Sequence, residues 1–263
     1  MLRGFGARLA TAAIFLPILF LVVRLGGWAY SGLVLLIVLL GAWEWWRLGR
    51  GRGAGRVPLL VGAAGACLSA IDPRPDRLGV FWGLLLVAAL LDGLRHADGS
   101  SARRAGHLVL GALYVGLLPS FLIRMRALPD GREVLYLTYL TVFVCDTAAY
   151  GIGRTLGRHA LWPRVSPRKT WEGAIAGLVA SILTAVACRF WFAGFLGLPA
   201  AIGFGLIVGL LGQAGDLVES LWKREAGVKD ASALIPGHGG VLDRFDNLHF
   251  VAPVLYTYLI IFS

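Results

Sequence analysis

The sequence predicts an all-α, polytopic membrane protein of about nine transmembrane helices with its N-terminus in the cytoplasm. Three observations lead there. Of 263 residues, 57% are hydrophobic and only 15% charged, with a mean hydropathy of +0.73, whereas soluble domains carry about 25% charged residues. Apolar runs close to the roughly 20 residues that cross a bilayer recur along the whole chain. The basic residues, finally, are shared unevenly between alternate connections.

The runs are centred near residues of about 16, 36, 64, 85, 115, 141, 182, 208 and 256, the third, fourth and ninth being the weakest. The first, "LATAAIFLPILFLVV", follows Arg3 and Arg8 and has the outline of a signal peptide. No small-x-small cleavage site comes after it and a second run starts almost at once, so it reads as a retained span. Connections are short and leave no room for a separate soluble domain. The chain is therefore expected to divide into spans one to five, residues 1–130, and spans six to nine with their loops, residues 131–263.

With alternating spans, 18 of the 25 basic residues fall on the cytoplasmic side; the other side keeps Arg24, Arg74, Arg77, Arg124, Arg126, Arg132 and Arg189. That is the positive-inside bias. The net charge of +10 comes from residues scattered through loops, so no nucleic-acid partner is expected, and anionic lipid or anionic substrates explain it better. Cys67, Cys145 and Cys188 sit apart in apolar runs and read as small buried hydrophobes. Trp43, Trp45 and Trp46 beside Arg47 read as an interfacial anchor. His96, His107 and His159 show no partner in the sequence.

The chemistry concentrates at two connections on the cytoplasmic side. At the end of the eighth span, "GQAGDLVESLWKREAGVKD" places Asp216, Ser220 and Lys223 on one helical face, with Glu219 in reach of Asp216 and Lys223. Asp216 directly follows an apolar run, where a carboxylate faces a cavity, a cation or a partner. Downstream come Lys229 and Asp230, the linker "ASALIPGHGG", and then Asp243, Arg244 and Asp246. If the chain turns helical after Gly240, Asp243 and Asp246 share a face. Two carboxylates so close repel unless a cation or shared proton intervenes. A hard cation such as Mg²⁺ suits them, completing its shell with water and substrate phosphates, whereas the scarcity of Cys and His argues against zinc.

Gly237, Gly239 and Gly240 would let backbone N–H groups approach an anion, and a helix starting after them would add its positive end. Glycines that simply turn the chain are the competing reading. The six-seven loop adds Asp146, Arg154, Arg158 and "SPRKTWEG", in which Thr170 could cap a helix and Lys169 is the better phosphate candidate. The "GIGRTLG" piece lacks the preceding strand and the spacing of a dinucleotide fingerprint.

The run "SLWKREAGVKDASALIPGHGGVLDRFD", Ser220 to Asp246, closely resembles the signature of the phosphatidate cytidylyltransferase (CDP-diacylglycerol synthase) family: a Ser, Lys-Arg, Lys-Asp, His-Gly-Gly and Asp-Arg-x-Asp. "AWEWWRL", "CDTAAYGIGRTLGRH", "SPRKTWEG" and "GQAGD" resemble other family segments in family order. Trp222 and Asn247 depart from the pattern, which usually has an aliphatic residue or Phe at the first and a Ser at the second, and bear on local packing alone.

The resemblance implies transfer of the cytidylyl group of CTP to phosphatidate, giving CDP-diacylglycerol and pyrophosphate for phospholipid synthesis. It implies Asp216, Asp243 and Asp246 as ligands of Mg²⁺, with room for a second, monovalent cation such as K⁺. Lys229, Asp230, Asp243, Arg244 and Asp246 would be catalytic. Lys169, Ser220, Lys223, Arg224, His238, Gly239 and Gly240 would bind substrate. A homodimer and a bacterial inner (plasma) membrane, with the site facing the cytoplasm, also follow from it. Rival readings are another CTP-dependent lipid enzyme, such as a polyprenol or phytol kinase, and, from a different class, a cation-coupled transporter. The charges cluster at helix ends and no internal repeat is evident, which disfavours the transporter.

Overall fold

The computed structural model describes residues 15–49, 56–71, 75–94, 99, 101–235 and 239–262. Among these, six helices are long and apolar enough to cross a membrane: Gly27–Leu48, Ser101–Arg126, Gly131–Leu156, Trp171–Trp191, Leu198–Glu225 and Leu242–Phe262. The chain is thus an all-α polytopic membrane protein. Three shorter apolar helices, Phe15–Leu25, Leu59–Leu68 and Val80–Leu91, lie at the first, third and fourth expected runs. The ninth run, expected to be weak, is a helix of 21 residues, because its polar first turn, "LDRFDN", is helical too.

In chain order the helices are α1 (Phe15–Leu25), α2 (Gly27–Leu48), α3 (Arg56–Leu68), α4 (Pro75–Leu94), α5 (Ser101–Gly111) and α6 (Leu118–Arg126). They continue as α7 (Gly131–Leu156), α8 (Trp171–Trp191), α9 (Leu198–Ile207), α10 (Gln213–Glu225) and α11 (Leu242–Phe262). A wide π turn, Ala112–Leu117, joins α5 to α6, and another, Val208–Gly212, joins α9 to α10. Two short antiparallel strands precede α8: β1 (Ala160–Trp162) and β2 (Ser166–Thr170) pair Ala160 with Thr170 and Trp162 with Ser166. This hairpin was not expected. Strands of three and five residues, one containing Pro167, carry no alternating apolar pattern to announce them.

Packing groups the chain into two units: residues up to Arg124 together with Asp230–Arg244, and Met125–Lys229 together with Phe245–Ser263. The division expected from sequence, at residue 130, lacks the return of Asp230–Arg244 to the N-terminal helices. In the first unit, α4 and α5 meet through Leu85, Ala89, Ala105 and Leu108. Gly116 lies against the backbone of Ala63 so closely that an added Cβ would sit 2.5 Å from its carbonyl oxygen. Trp45 is buried rather than interfacial: it stacks on His107 with ring centroids 5.1 Å apart, and its indole N–H donates to the His107 carbonyl.

In the second unit, α8 packs on α7 and α9 through small residues. A Cβ on Gly173 would lie 2.6 Å from the Ala149 carbonyl oxygen, and one on Gly205 2.5 Å from the Ile182 backbone. The Ser181 hydroxyl donates across to the Gly205 carbonyl at 2.8 Å. Close backbone approach through Gly and Ser is how helices associate where lipid removes the hydrophobic drive. Cys67, Cys145 and Cys188 are buried and unbridged, as expected.

Candidate active site

In the second unit, polar side chains from four elements converge. The hairpin delivers the first of them. Thr170 ends β2 in an extended conformation and its hydroxyl accepts from the Gly173 N–H at 3.2 Å, capping α8 as its sequence suggests. His159 closes the hairpin: its carbonyl accepts from the Trp171 N–H at 2.9 Å, and its ring lies 2.6 Å from the Glu172 carboxylate. Lys169, one residue before the cap, is thereby aimed at α10, where its ammonium lies 2.7 Å from Asp216 Oδ2.

Helix α10 has the polar face its spacing predicts. The Ser220 hydroxyl donates to Asp216 Oδ1 at 3.3 Å, and the Lys223 ammonium donates to Glu219 Oε1 at 3.1 Å. Glu219 and Lys223 are both buried. Asp246, on α11, is buried as well and interacts electrostatically with Asp216, Glu219 and Lys223. A Cβ on Gly215 would lie 2.6 Å from the Asp246 carbonyl oxygen, so a glycine is needed where α10 meets α11. Next along α11, the Asn247 amide donates to both oxygens of Asp146, at 2.9 and 2.7 Å. Asn247 was expected to affect packing alone; it in fact anchors a carboxylate of α7.

Three carboxylates and two ammonium groups therefore form one connected group in this unit. Crowded carboxylates need positive charge among them, and Lys169 and Lys223 supply it. The donor set, oxygen-rich and without thiolates, fits a hard cation that takes its other ligands from water and phosphate. Among the described residues, however, no cluster of three or more His, Cys, Asp or Glu side chains forms a ready cage.

The signature loop lies in the first unit. Asp243 Oδ2 accepts from the N–H groups of Ala231 at 3.0 Å and Gly240 at 2.7 Å. Ile235 and Gly239 form an isolated bridge, and Gly239 has φ +83°, a left-handed conformation that suits glycine. The Gly240 N–H that could have met an anion is thus held by Asp243, and those of Val241 and Leu242 donate to Glu44.

A cytidylyltransferase family model matches residues 6–262, nearly the whole chain. The chain belongs to the cytidylyltransferase family. Proteins named phosphatidate cytidylyltransferase are similar to it: that of Staphylococcus aureus (strain COL) is 41% identical over 156 residues, and that of Staphylococcus haemolyticus 40%. Each of these matches covers 59% of this chain and 59% of the relative's length. The protein of that name from Synechocystis sp. is 30% identical over an alignment of 286 positions, covering 97% of this chain and 96% of its own.

The remaining expected site residues of this cytidylyltransferase-family chain are placed as follows. Arg224 is exposed; its guanidinium donates to the carbonyls of Val165 in the hairpin turn and of Val228, both at 3.3 Å. Lys229, Asp230 and Arg244 are exposed. His238 and Gly237 lie outside the described residues. Sequence reasoning missed Glu44 and gave Asp146 no partner. A lone carboxylate inside the apolar second run was the available signal for Glu44.

Proposed function

We propose that this chain transfers the cytidylyl group of CTP to phosphatidate, releasing pyrophosphate and leaving CDP-diacylglycerol in the membrane. The observation that carries the reading is the group formed by Lys169, Asp216, Glu219, Lys223 and Asp246 at the ends of membrane helices. It combines carboxylates for a divalent cation with ammonium groups for phosphates. Family membership and the names of the relatives supply the substrates.

In the proposed reaction a phosphate oxygen of phosphatidate bonds to the α-phosphorus of CTP, and the bond from that phosphorus to the bridging oxygen of the β-phosphate breaks. The electron pair leaves with pyrophosphate. Little covalent work falls to the protein, so positioning and neutralisation dominate. Asp216 and Asp246, with Asp243 as third member of the expected set, are assigned to Mg²⁺, which would draw charge from the phosphate oxygens. A monovalent ion such as K⁺ could share the carboxylates. Lys169 and Lys223 release their carboxylates to bind phosphate oxygens as substrate arrives, joined by the exposed cations Lys229 and Arg244. Ser220 orients Asp216, and Arg224 steadies the hairpin that carries Lys169.

A diacyl substrate remains in the bilayer, which explains why the group sits at the ends of apolar helices. Counting the three shorter apolar helices as spans gives nine, with a cytoplasmic N-terminus and site; the charge bias between connections supports this topology. The test is pyrophosphate release by detergent-solubilised protein given CTP, phosphatidate and Mg²⁺, with each omitted in turn. Release that needs all three supports the reading. Production of CDP without pyrophosphate would point to a lipid kinase instead and overturn it.

A further inference from the structure

Glu44, in the middle of the "AWEWWRL" segment of α2, is fully buried. Its carboxylate does not face an arginine or lysine among the hydrogen bonds it makes. Instead it accepts from the Ser232 hydroxyl at 2.5 Å and the Val241 N–H at 2.9 Å through Oε1, and from the Leu242 N–H at 2.8 Å through Oε2. Val241 immediately precedes α11 and Leu242 opens it, so these are N–H groups that a helix leaves without intrahelical partners. A residue nearly two hundred positions away therefore caps the helix, with its negative charge at the positive end of the helix dipole.

The fit is tight on the loop side. Gly240 meets Glu44 so closely that an added Cβ would lie 2.5 Å from Oε1 and 2.7 Å from Oε2. Ser232, held by Glu44, accepts in turn from the Leu234 N–H at 3.1 Å. Asp243 ties Ala231 and Gly240 together from the other direction. Two carboxylates thus hold both ends of the loop that carries Asp230, Gly239 and Gly240, and both lie in the same packed unit.

We propose that Glu44 is a positioning residue for the reaction: its carboxylate fixes Ser232 and the Gly240–Leu242 segment at the start of α11, and thereby the placement of Asp243. This rests on the function proposed above for its catalytic consequence, though not for its structural one. A buried carboxylate on three donors is held by charge-assisted bonds, and loss of that charge leaves the donors without equivalent acceptors. Glu44→Gln keeps the shape but turns one acceptor oxygen into an NH₂ group facing an N–H.

The experiment measures amide hydrogen exchange and pyrophosphate release on the full chain in detergent, for wild type, Glu44→Gln, Glu44→Asp and Ser232→Ala. In Glu44→Gln, exchange at residues 240–243 should quicken by roughly ten- to hundred-fold while α7 to α10 keep wild-type protection. Its kcat should fall by a similar factor with a smaller change in the KM for CTP, and Glu44→Asp should recover part of both. Ser232→Ala, which leaves the carboxylate in place, should loosen residues 231–235 more mildly and provides the comparison if Glu44→Gln does not accumulate. Unchanged exchange at 240–243, a uniform loss of protection including α7 to α10, or local loosening with unchanged kcat would each overturn the proposal. If wild type releases no pyrophosphate, the proposed function fails, while the exchange data still decide whether Glu44 holds the loop.

Discussion

The ammonium of Lys169 lies 2.7 Å from a carboxylate oxygen of Asp216, joining the end of the hairpin to the polar face of α10. The two side chains remain 26% and 35% exposed, so the pair contributes little to stability. Lys169→Met should lower pyrophosphate release by about tenfold or more, since charge-assisted contacts to phosphate oxygens are lost, yet shift stability by less than about 1 kcal/mol. Lys169→Arg should keep part of the activity. Steady-state assays and thermal melts in detergent, run side by side, check both statements; a large loss of stability with intact turnover contradicts them.

Asp246 is buried among the charges of Asp216, Glu219 and Lys223. Neutralising it relieves repulsion between carboxylates, so Asp246→Asn should abolish turnover while leaving the melting temperature unchanged or higher. Mg²⁺ should raise the melting temperature of the wild type by binding the folded state, and should fail to do so in Asp246→Asn. An undiminished Mg²⁺ shift in both Asp216→Asn and Asp246→Asn would place the ion elsewhere.

Asn247 donates two hydrogen bonds to Asp146. Asn247→Ala removes both and should cost about 0.5–1.5 kcal/mol, since the exposed Asp146 carboxylate pays no burial penalty when its donors are lost. Asn247→Ser, with one hydroxyl donor, should recover part of that. Denaturation midpoints of the three proteins decide it, and an Ala variant as stable as wild type would show that the bonds contribute nothing.

Gly205 and Gly32 make a matched pair of helix glycines. A Cβ at Gly205 meets the Ile182 backbone, whereas at Gly32 nothing lies within 4 Å. Gly205→Ala should therefore destabilise by about 1–3 kcal/mol through overpacking of α8 on α9. Gly32→Ala, in a helix interior with open space, should be neutral or stabilising by up to about 1 kcal/mol. Equal effects of the two substitutions would mean that α8 and α9 can separate freely.

Much of the candidate site was legible because its contacts are local. Asp216 with Ser220 and Glu219 with Lys223 are four-residue neighbours that helical spacing alone brings together, and Thr170 followed by Trp-Glu-Gly announces its own cap. What was not legible depends on distance along the chain. Glu44 and Val241 are 197 residues apart, and no pattern in either segment names the other. Asp146 and Asn247 are 101 apart, and the same holds for them. Of the signature glycines read as a cradle for an anion, Gly240 has its N–H taken by Asp243, a carboxylate of the chain itself that residue spacing alone does not place there. His107 looked solitary because its neighbour, Trp45, comes from another helix.

The π turn at Val208–Gly212 interrupts a rod that otherwise runs from Leu198 to Glu225. Each α-helical residue advances the azimuth by about 100°, and a π turn accommodates one residue more than the α geometry would. The compass bearing of Asp216, Ser220 and Lys223 is therefore set by a count made earlier, within residues, Leu198 to Gly212, that carry no charge and no hydrogen-bonding side chain. Removing one residue from the apolar α-helical turns before the π turn, Leu198 to Ile207, would swing the whole polar face away from Lys169 without altering a single polar residue, whereas the π turn itself has one residue to spare. In this chain the aim of the chemistry is a property of greasy sequence, and variation there that conserves hydropathy but not length is not silent.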